Sequence, residues 1–394
     1  MMTADEPSRS QDFDVTIDAL DDGRIATALV ASERLLRGDK TLIPRLLRAR
    51  ALSKAWRFAE SEAVLLAEPT DDLSAEQQWV LYRSWAVLRG EQRRHFDEVE
   101  WLRCATDLRP TETSGWIMMG CAYALAGRFT EAAACHQRAT VCDGDPDEAF
   151  LNLGYVLRAE ARFEEAREAF ARALLLTPDY PEARSALADV SKALAASRRQ
   201  SPTTRKATWK AAIEGWRSDR VASGLVAMDR YDALDPHSEP AKILRAEMLI
   251  SIRRFSEAEA SLLRVDDSGK ARASCYAAWG SLRDAQGRFD EAISWYGRQL
   301  EVDPRSGADT AMGTSYAMSG RLDEAERRFR GAMRRPGDPS GAQRELGHIL
   351  RMQLRLDEAR DVLEACLHRK PRSERARRSL EDVAQASALL GNAR

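Results

Sequence analysis

A pattern that recurs after 34 residues between Thr113 and Pro178 constrains the fold of this chain more than any other feature. Within each copy, apolar residues at i, i+3, i+4 and i+7 predict two short amphipathic helices separated by a turn. The matching positions are Trp116, Met119, Gly120, Tyr123, Gly127, Phe129, Ala132 and Ala139 in the first copy, and Phe150, Leu153, Gly154, Leu157, Ala161, Phe163, Ala166 and Ala173 in the second. Each copy is therefore predicted to be a helical hairpin.

Small residues at the predicted helix crossings indicate how closely the two helices of a hairpin pack. Glycine or alanine stands at Gly120, Ala132, Gly154 and Ala166. Because these positions carry no bulky side chain, the two backbones can approach each other, and large neighbouring residues fill the remaining space. A larger side chain at such a position is predicted to overpack the hairpin.

This set of residues resembles the tetratricopeptide repeat, whose W-L-G-Y-A-F-A-P signature has the same period. The resemblance implies an all-α fold, a right-handed α-solenoid superhelix of tandem helix-turn-helix repeats. It also implies that each hairpin is stable only against its neighbours. In such proteins the concave inner surface of the superhelix binds the partner, so the resemblance places function there.

A second likeness extends the repeat over the whole chain. The segment from Arg45 to Leu66 aligns without a gap to the segment from Lys242 to Leu263, and about half of the positions are identical. A likeness between segments so far apart supports a repetitive chain more strongly than any single motif does. We therefore expect an elongated array in place of two or three ordinary domains.

The phase of the repeat predicts how the array is divided. Residues 1–14 are polar and acidic and are expected to be a flexible tail. An N-terminal array is expected over residues 15–198, a polar and basic linker over residues 199–204, and a C-terminal array over residues 205–394. The division rests on the linker, where the next repeat starts out of phase.

Single helices are expected to close both arrays. The first is predicted from Pro181 to Arg198 and the second from Glu374 to Leu390, each as a capping helix with a polar outer face. The two arrays together are predicted to contain about nine hairpins. One of these hairpins is expected to have an enlarged turn from Arg89 to Arg94.

Composition and charge exclude several classes of protein. Lysine and arginine together number 60 and aspartate and glutamate 62, so no whole-protein field selects nucleic acid or an acidic membrane. Residues 1–14 contain no apolar signal segment, and no run along the chain is long enough for a membrane span. The six cysteines lack metal-finger spacing and are expected to be reduced thiols. The sequence thus predicts a soluble cytoplasmic protein.

No catalytic or metal-binding pattern is found in the sequence. The five histidines are scattered, and none lies at ligand spacing from a second histidine or a cysteine. The G-x-S-x-G, H-E-x-x-H and G-x-G-x-x-G motifs do not occur. The chain is therefore predicted not to be an enzyme and to carry neither a metal nor another cofactor.

Candidate partner-binding residues follow from the resemblance. In the family, the first helix of each hairpin lines the groove, and its lining positions carry over onto Arg50, Lys54, Leu151, Asn152, Tyr155, Arg158, Glu247, Arg344, His348 and Arg351. Two known binding modes of the family lack support. The lysine and asparagine ladder of heat-shock chaperone adaptors is not present in consecutive repeats. Of the asparagine series found in O-linked N-acetylglucosamine transferases, only Asn152 is present.

Two basic surfaces could bind an anionic group. Arg344, His348 and Arg351 share one helix face at i, i+4 and i+7, and they could grip a carboxylate. A cluster near the C-terminus consists of Arg369, Lys370, Arg372, Arg375, Arg377 and Arg378. The alternative for both is a solvated cationic face without a ligand. Nucleic acid is disfavoured because no aromatic residues are interleaved to stack bases.

The sequence as a whole favours an adaptor that holds a peptide or protein partner in the groove of its superhelix. The alternative is a non-catalytic regulatory or substrate-presenting subunit of a separately encoded enzyme, such as a glycosyl- or sulfotransferase. An accessory subunit would co-purify with an enzyme and change its rate, whereas an adaptor would capture a partner that lacks catalytic machinery. The identity of the partner does not follow from the sequence.

Overall fold

The structure is a computed structural model, and it describes residues 6–391 except 68–72, 199–203, 267–268, 270 and 336–337. Over these residues it is a helical-repeat protein without a β-strand, and one isolated bridge joins Glu112 to Asp143. The all-α solenoid class predicted from the repeat is confirmed. The linker predicted at residues 199–204 lies outside the described residues except for Thr204.

The first half of the chain contains helices α1 (Glu6–Asp21), α2 (Ile25–Gly38), α3 (Leu42–Lys54), α4 (Phe58–Leu66), α5 (Ala75–Glu91), α6 (His95–Leu108), α7 (Thr113–Leu125), α8 (Phe129–Ala139), α9 (Asp147–Ala159), α10 (Phe163–Leu176) and α11 (Pro181–Arg198). The second half contains α12 (Arg205–Arg217), α13 (Val221–Leu234), α14 (Glu239–Ser251), α15 (Phe255–Leu262), α16 (Arg272–Ala285), α17 (Phe289–Val302), α18 (Ala308–Met318), α19 (Leu322–Met333), α20 (Ser340–Met352), α21 (Leu356–Arg369) and α22 (Glu374–Gly391).

These helices group into two compact units. Unit 1 contains residues 1–94 and 289–394, so it combines the two ends of the chain, whereas unit 2 is the continuous segment 95–288. These borders differ from the two arrays expected over residues 15–198 and 205–394. The arrays describe the sequence repeat and remain a prediction, while the units describe which helices pack together.

The expected N-terminal tail is wrong for residues 6–14, because α1 begins at Glu6. The hydrophobic pattern did not predict this helix, because polar residues lie on its buried face. The Thr16 hydroxyl donates to the carbonyl of Asp12 at 2.6 Å, and the Asp12 carboxylate lies 3.4 Å from Arg34 of α2. With α2, this helix adds one hairpin to the number expected. The enlarged turn expected at Arg89 to Arg94 is also wrong, because α5 continues to Glu91.

Close packing at the small residues is confirmed. A methyl group at Gly120 would lie 2.5 Å from the ring of His136, and one at Gly154 would lie 2.5 Å from the ring of Phe170. Ala132 and Ala166, on the opposing helices, are fully buried. The crossing distance of each hairpin is therefore set by the absence of a side chain.

Two glycines in turns allow each unit to bring distant hairpins together. Gly127 and Gly320 have φ angles of 75° and 81°, a region that favours glycine. A methyl group at Gly127 would lie 3.0 Å from the carbonyl oxygen of Arg253, and one at Gly320 would lie 3.4 Å from that of Trp56. In unit 2 the α7–α8 turn thus packs on the α14–α15 turn, and in unit 1 the α18–α19 turn packs on the α3–α4 turn.

The two units are built alike. A shift of 193 residues places α9, α10 and α11 on α20, α21 and α22, and their helix ends coincide. A shift of 196 places α2 on α13. In unit 2 the chain runs from α11 through α12 to α13, whereas in unit 1 the last helix, α22, packs against α2 near the other end of the chain.

Neither single helix is therefore the terminal cap that the sequence suggested. On the side where a cap would face solvent, α11 packs on α13 and α22 packs on α2. The contacts are polar as well as apolar, because α11 and α22 each carry a buried aspartate, Asp189 and Asp382. Each single helix joins two runs of hairpins.

Candidate functional site

A cleft of about 460 Å³ in unit 1 collects the strongest concentration of charged side chains around any cavity described here. We call it the arginine cleft. Its walls come from α18, α20 and α22 and from the turns that precede α2 and α4. It is lined by Asp22, Gly23, Arg24, Trp56, Thr314, Met318, Arg344, Glu345, His348, Arg351, Arg375, Arg378 and Ser379.

The three basic candidates on α20 all line the arginine cleft. Arg344, His348 and Arg351 fall on one face because they are spaced at i, i+4 and i+7. The opposite face carries Leu346 and Leu350, which are fully buried in the core of unit 1. Because the apolar face of α20 packs into the core, its polar face, which carries Arg344, His348 and Arg351, lies toward the cleft.

Arg351 is held by hydrogen bonds to the protein itself. Its guanidinium donates to the carboxylate of Asp382 at 2.9 Å and to Nδ1 of His348 at 2.7 Å. The side chain is only 7% exposed, and its Nε is buried without an acceptor among the described residues. Arg351 therefore has a structural role, in which it joins α20 to α22, and ligand binding by this residue stays a prediction.

His348 is a neutral hydrogen-bond donor in the cleft wall. Burial lowers its pKa to about 3, and the nearby charges of Arg351 and Arg375 act in the same direction. Since an arginine can only donate, Nδ1 of His348 accepts and the ring proton lies on Nε2. The ring also stands edge-on to Trp56, with 5.4 Å between centroids.

The arginine cleft has more cations than its carboxylates can neutralise. Five arginines line it, and three of them have a carboxylate partner. Arg24 pairs with Asp22 at 2.9 Å, Arg344 with Glu345 at 2.8 Å and Arg351 with Asp382 at 2.9 Å.

The remaining two, Arg375 and Arg378, are exposed and form no ion pair or hydrogen bond with any described residue. Both lie near the N-terminus of α22, where the helix dipole is positive, and in the first turn, which contains Arg375, the dipole disfavours a cation by about 0.3–1 kcal/mol. An anion placed between them would relieve this repulsion. The basic cluster read from the sequence thus contributes two side chains to the cleft.

The two basic candidates on α3 do not line the arginine cleft. Arg50 lies 3.3 Å from Asp21, and Lys54 lies 2.6 Å from Glu91. Both groups are partly exposed, so these ion pairs contribute little to stability. They stay candidates for a different part of the surface.

Four candidates on α9 of unit 2 are equivalent in position to four residues of α20 in unit 1. Leu151, Asn152, Tyr155 and Arg158 correspond to Arg344, Glu345, His348 and Arg351 at the shift of 193 residues. Leu151 is buried and Asn152 is half-buried. Leu151 is therefore part of the core.

Arg158 repeats the structural role of Arg351. It lies 3.7 Å from the buried carboxylate of Asp189 and stacks over the ring of Tyr155 at 5.0 Å. Burial raises the pKa of Tyr155, and the carboxylates of Glu182 and Asp219 add to this effect while Arg158 opposes it. At the shift of 193 residues, unit 2 thus carries Glu182 where the arginine cleft carries Arg375.

Glu247 lies alone on α14 of unit 2. It is half-buried, and burial raises the pKa of its carboxyl group. The structure therefore distributes the ten predicted residues over two units and brings only Arg344, His348 and Arg351 together around one cavity.

Sequence reasoning missed Asp22, Arg24 and Trp56, which come from turns, and it missed Asp382. A signal for Asp382 was present, because it precedes Val383 on the apolar face of its helix as Asp189 precedes Val190. A carboxylate on such a face has to find donors when the helix is buried. The same pattern in both copies pointed to a shared structural role.

Two further searches concern other kinds of site. Within the described residues, no three or more His, Cys, Asp or Glu side chains converge as metal ligands. None of the helices seen there combines the length and apolar character that crossing a bilayer needs.

Several solved structures of helical-repeat proteins are similar to this chain. Yeast Tom70 is 14% identical over 98% of this chain and 89% of its own, with a TM-score of 0.41. A tetratricopeptide repeat protein from Parabacteroides merdae is 13% identical over 69% of this chain and 98% of its own, with a TM-score of 0.39. The Cut9–Hcn1 hetero-tetramer of the APC/C is 13% identical over 96% of this chain and 91% of its own, also at 0.39.

At the level of sequence, no curated protein matches the chain. Two family profiles do match, both described as tetratricopeptide repeat. One covers residues 147–180, which contain α9 and α10, and the other covers residues 275–308, which contain most of α16 and all of α17.

Proposed function

Because this chain is a tetratricopeptide-repeat protein, and as such an interaction scaffold in general, we propose that it is a non-enzymatic adaptor that binds an acidic segment of a protein partner in the arginine cleft. The observation that carries the proposal is the pair of unpartnered arginines, Arg375 and Arg378, in the wall of a cavity. Glutamate or aspartate side chains of the partner would supply the carboxylates that these two arginines lack.

The chemistry of the cleft favours carboxylates over other groups. A guanidinium presents parallel N–H donors that match the two oxygens of a carboxylate, and such charge-assisted pairs are stronger than neutral hydrogen bonds. Arg344 adds a third guanidinium, since its Nε and one terminal nitrogen are occupied by Glu345 and the other terminal nitrogen remains. The volume of about 460 Å³ lies within the range of ligand pockets.

The other walls would discriminate among acidic segments. Trp56 offers an indole beside the charged groups, and its ring is held edge-on to His348. His348 stays neutral at physiological pH and offers an N–H donor without adding charge. We therefore expect a segment in which an apolar side chain lies next to carboxylates to bind more tightly than carboxylates alone.

The cytoplasm is the compartment that we propose for this adaptor. None of the six cysteines forms a disulfide with another. Burial raises the pKa of Cys121 to about 12 and that of Cys135 to about 11, so neither is a reactive thiolate. Thiols of this kind suit a reducing compartment.

Binding of a fluorescent hexaglutamate peptide to the full chain, followed by polarisation, tests the proposal. We expect saturable binding that weakens as salt is raised, because the exposed arginines are screened. Hexaglutamine and hexalysine should not bind. Charge reversal of both cleft arginines, Arg375→Glu with Arg378→Glu, should weaken hexaglutamate binding at least tenfold.

A matched control separates the cleft from net charge. Arg372 and Arg377 are exposed basic residues of the same cluster, and neither lines the cleft. Arg372→Glu with Arg377→Glu changes the net charge equally and should retain most of the affinity. Equal losses in the two double variants would assign binding to diffuse charge and would refute the proposed site.

A further inference from the structure

The arginine cleft is assembled from both ends of the chain. Gly23, Arg24 and Trp56 come from the N-terminal part, whereas Arg344, Arg375 and Arg378 come from the C-terminal part. More than 250 residues separate the last N-terminal lining residue from the first C-terminal one. The cleft therefore exists only while α2 and α22 are packed together.

A side chain of α22 caps the N-terminus of α2 and holds the two helices together. The N-cap residue of α2, Arg24, makes no capping hydrogen bond with its side chain. Instead, the carboxylate of Asp382 on α22 accepts from the backbone amides of Ala26 and Thr27, both at 2.9 Å. The Thr27 hydroxyl also donates to this carboxylate at 2.7 Å. Asp382 thus satisfies amides that a helix N-terminus leaves without partners.

Further hydrogen bonds cross the same interface. Arg24 donates to the side chain of Gln385 at 2.7 Å, and Arg34 donates to the carbonyl of Leu389 at 3.3 Å. Arg351, in the cleft wall, completes the connection by donating to Asp382. One carboxylate therefore bonds both a residue that lines the cleft and the helix that closes it.

Unit 2 contains the same junction without a break in the chain. Asp189 on α11 accepts from the amides of Ala222 and Ser223 at 3.0 and 3.1 Å, and the Ser223 hydroxyl donates to it at 2.8 Å. Arg230 donates to the carbonyl of Ala196, as Arg34 does to Leu389. In unit 2 only α12 and its short connections separate α11 from α13 in the chain. The chain itself therefore limits how far the two sides of the junction can separate.

In unit 1, no short connection restrains the two sides. Asp382 and Thr27 are 355 residues apart, so only non-covalent contacts within the unit oppose their separation. Packed elements can open locally at a lower free energy than the whole domain unfolds. When α22 leaves α2, Arg375 and Arg378 move away from Trp56 and Arg24, and the cleft is lost.

We propose that ligand binding in the arginine cleft and closure of the α2–α22 interface are thermodynamically coupled. The inference rests on the proposed function and adds its regulation. An acidic segment bound between the two sides contacts α22 and the N-terminal turns at once, so it binds the closed state and not the open one. By reciprocity, an effect that opens the α2–α22 interface weakens the affinity for the segment by the same factor by which the bound segment opposes that effect.

Amide hydrogen exchange of the full chain, with and without hexaglutamate, measures the coupling directly. The amides of Ala26 and Thr27 report the α2–α22 interface, because Asp382 is their acceptor. At saturating peptide we expect their exchange to slow at least fivefold. The amides of Ala222 and Ser223 report the equivalent junction of unit 2 and should not change.

The outcomes distinguish this inference from the function on which it rests. If hexaglutamate does not bind at all, the proposed function and the coupling fail together. If it binds in the cleft, as judged by the Arg375 and Arg378 variants, while exchange at Ala26 and Thr27 is unchanged, the function stands and the coupling is refuted. Slowed exchange at all four amides would indicate general stabilisation and would also refute it.

A pair of equivalent variants tests the reciprocal effect. Asp382→Asn keeps the shape of the side chain but removes the charge that holds Arg351 and the α2 amides, and we expect at least a tenfold loss of peptide affinity. Asp189→Asn makes the same change in unit 2 and should alter affinity less than twofold.

A milder pair keeps the test decisive if Asp382→Asn does not fold. Thr27→Val removes only the hydroxyl bonding to Asp382 and leaves the amide bond in place, and Ser223→Ala removes the corresponding hydroxyl in unit 2 without adding bulk. We expect a two- to fivefold loss of affinity for the first variant and none for the second. Equal affinities across this pair, with wild-type binding intact, would overturn the inference.

Discussion

The backbone amide of Thr27 donates a 2.9 Å hydrogen bond to the carboxylate of Asp382, which lies 355 residues later in the chain. The carboxylate is fully buried and also receives the guanidinium of Arg351. One acidic side chain therefore caps a helix from the opposite end of the sequence and neutralises a buried cation. The first prediction follows from this arrangement.

Asp382→Ala should lower the free energy of unfolding by about 3–5 kcal/mol, because it leaves the Arg351 charge buried without a partner. Urea denaturation followed by circular dichroism measures the loss. Asp361→Ala is the control, since Asp361 is exposed on α21 and its removal should change stability by no more than about 0.5 kcal/mol. Similar losses in both variants would contradict the capping role of Asp382.

Two glycines should respond with opposite signs to the same substitution. Gly154→Ala places a methyl group 2.5 Å from the ring of Phe170, which is fully buried and cannot yield. We expect a net loss of about 1–2 kcal/mol, since overpacking exceeds the gain in helix propensity. Gly297→Ala, in the middle of α17, meets nothing within 4 Å and should stabilise by up to about 1 kcal/mol. Thermal denaturation of both variants decides the signs.

Ala166→Leu should lower the melting temperature by overpacking the α9–α10 hairpin, at a cost of about 1–3 kcal/mol. Ala166 is fully buried at the helix crossing. The matched control is Ala171→Leu, one turn further along α10, where the side chain is exposed. An Ala166→Leu protein that melts at the wild-type temperature would mean that the two helices are not in close contact there.

His136 should make the protein sensitive to acid. Burial lowers its pKa to about 4, while the unfolded side chain titrates near 6.5. The unfolded chain therefore binds a proton first, so the stability from this group is complete above pH 6.5 and is lost as the pH falls toward 4. At pH 5 the loss should be about 2 kcal/mol.

His136→Phe isolates this contribution. Phe329 occupies the equivalent place in unit 1, where it packs against Gly313 as His136 packs against Gly120. The aromatic ring should therefore fit, and the variant should lose less stability than wild type between pH 7.5 and pH 5 in urea titrations. Parallel pH profiles of the two proteins would rule out His136 as the source. The comparison concerns the pH dependence, so a constant difference in packing does not affect it.

The hairpins could be predicted from sequence because they depend on local pattern. Helix periodicity, small residues at crossings and breaks at Gly127 or Ala161 act within a single hairpin. The α1 helix was missed since its buried face holds Asp12 and Thr16, which are stabilised by Arg34 and by the backbone. Polar residues on a buried face give no hydrophobic signal.

The candidate site could be predicted only in part. The spacing on α20 predicted that Arg344, His348 and Arg351 share one helix face, and in the structure all three line one cavity. Nothing in that spacing distinguishes Arg351, which is paired with Asp382, from Arg375, which is free to bind a ligand. Whether an arginine is paired depends on which helix faces it, and that helix is set by packing between hairpins.

The sequence by itself determined the repeat, the helical hairpins and the residues at which their helices meet, since these follow from periodicity and side-chain volume over a few turns. Only the tertiary structure decided that α22 packs on α2, where the sequence had suggested a capping helix with one face exposed to solvent. That choice depends on contacts between residues hundreds of positions apart, above all the buried Asp382, whose donors lie at the other end of the chain. The same packing brings Trp56 and Arg24 beside Arg375 and so creates the arginine cleft.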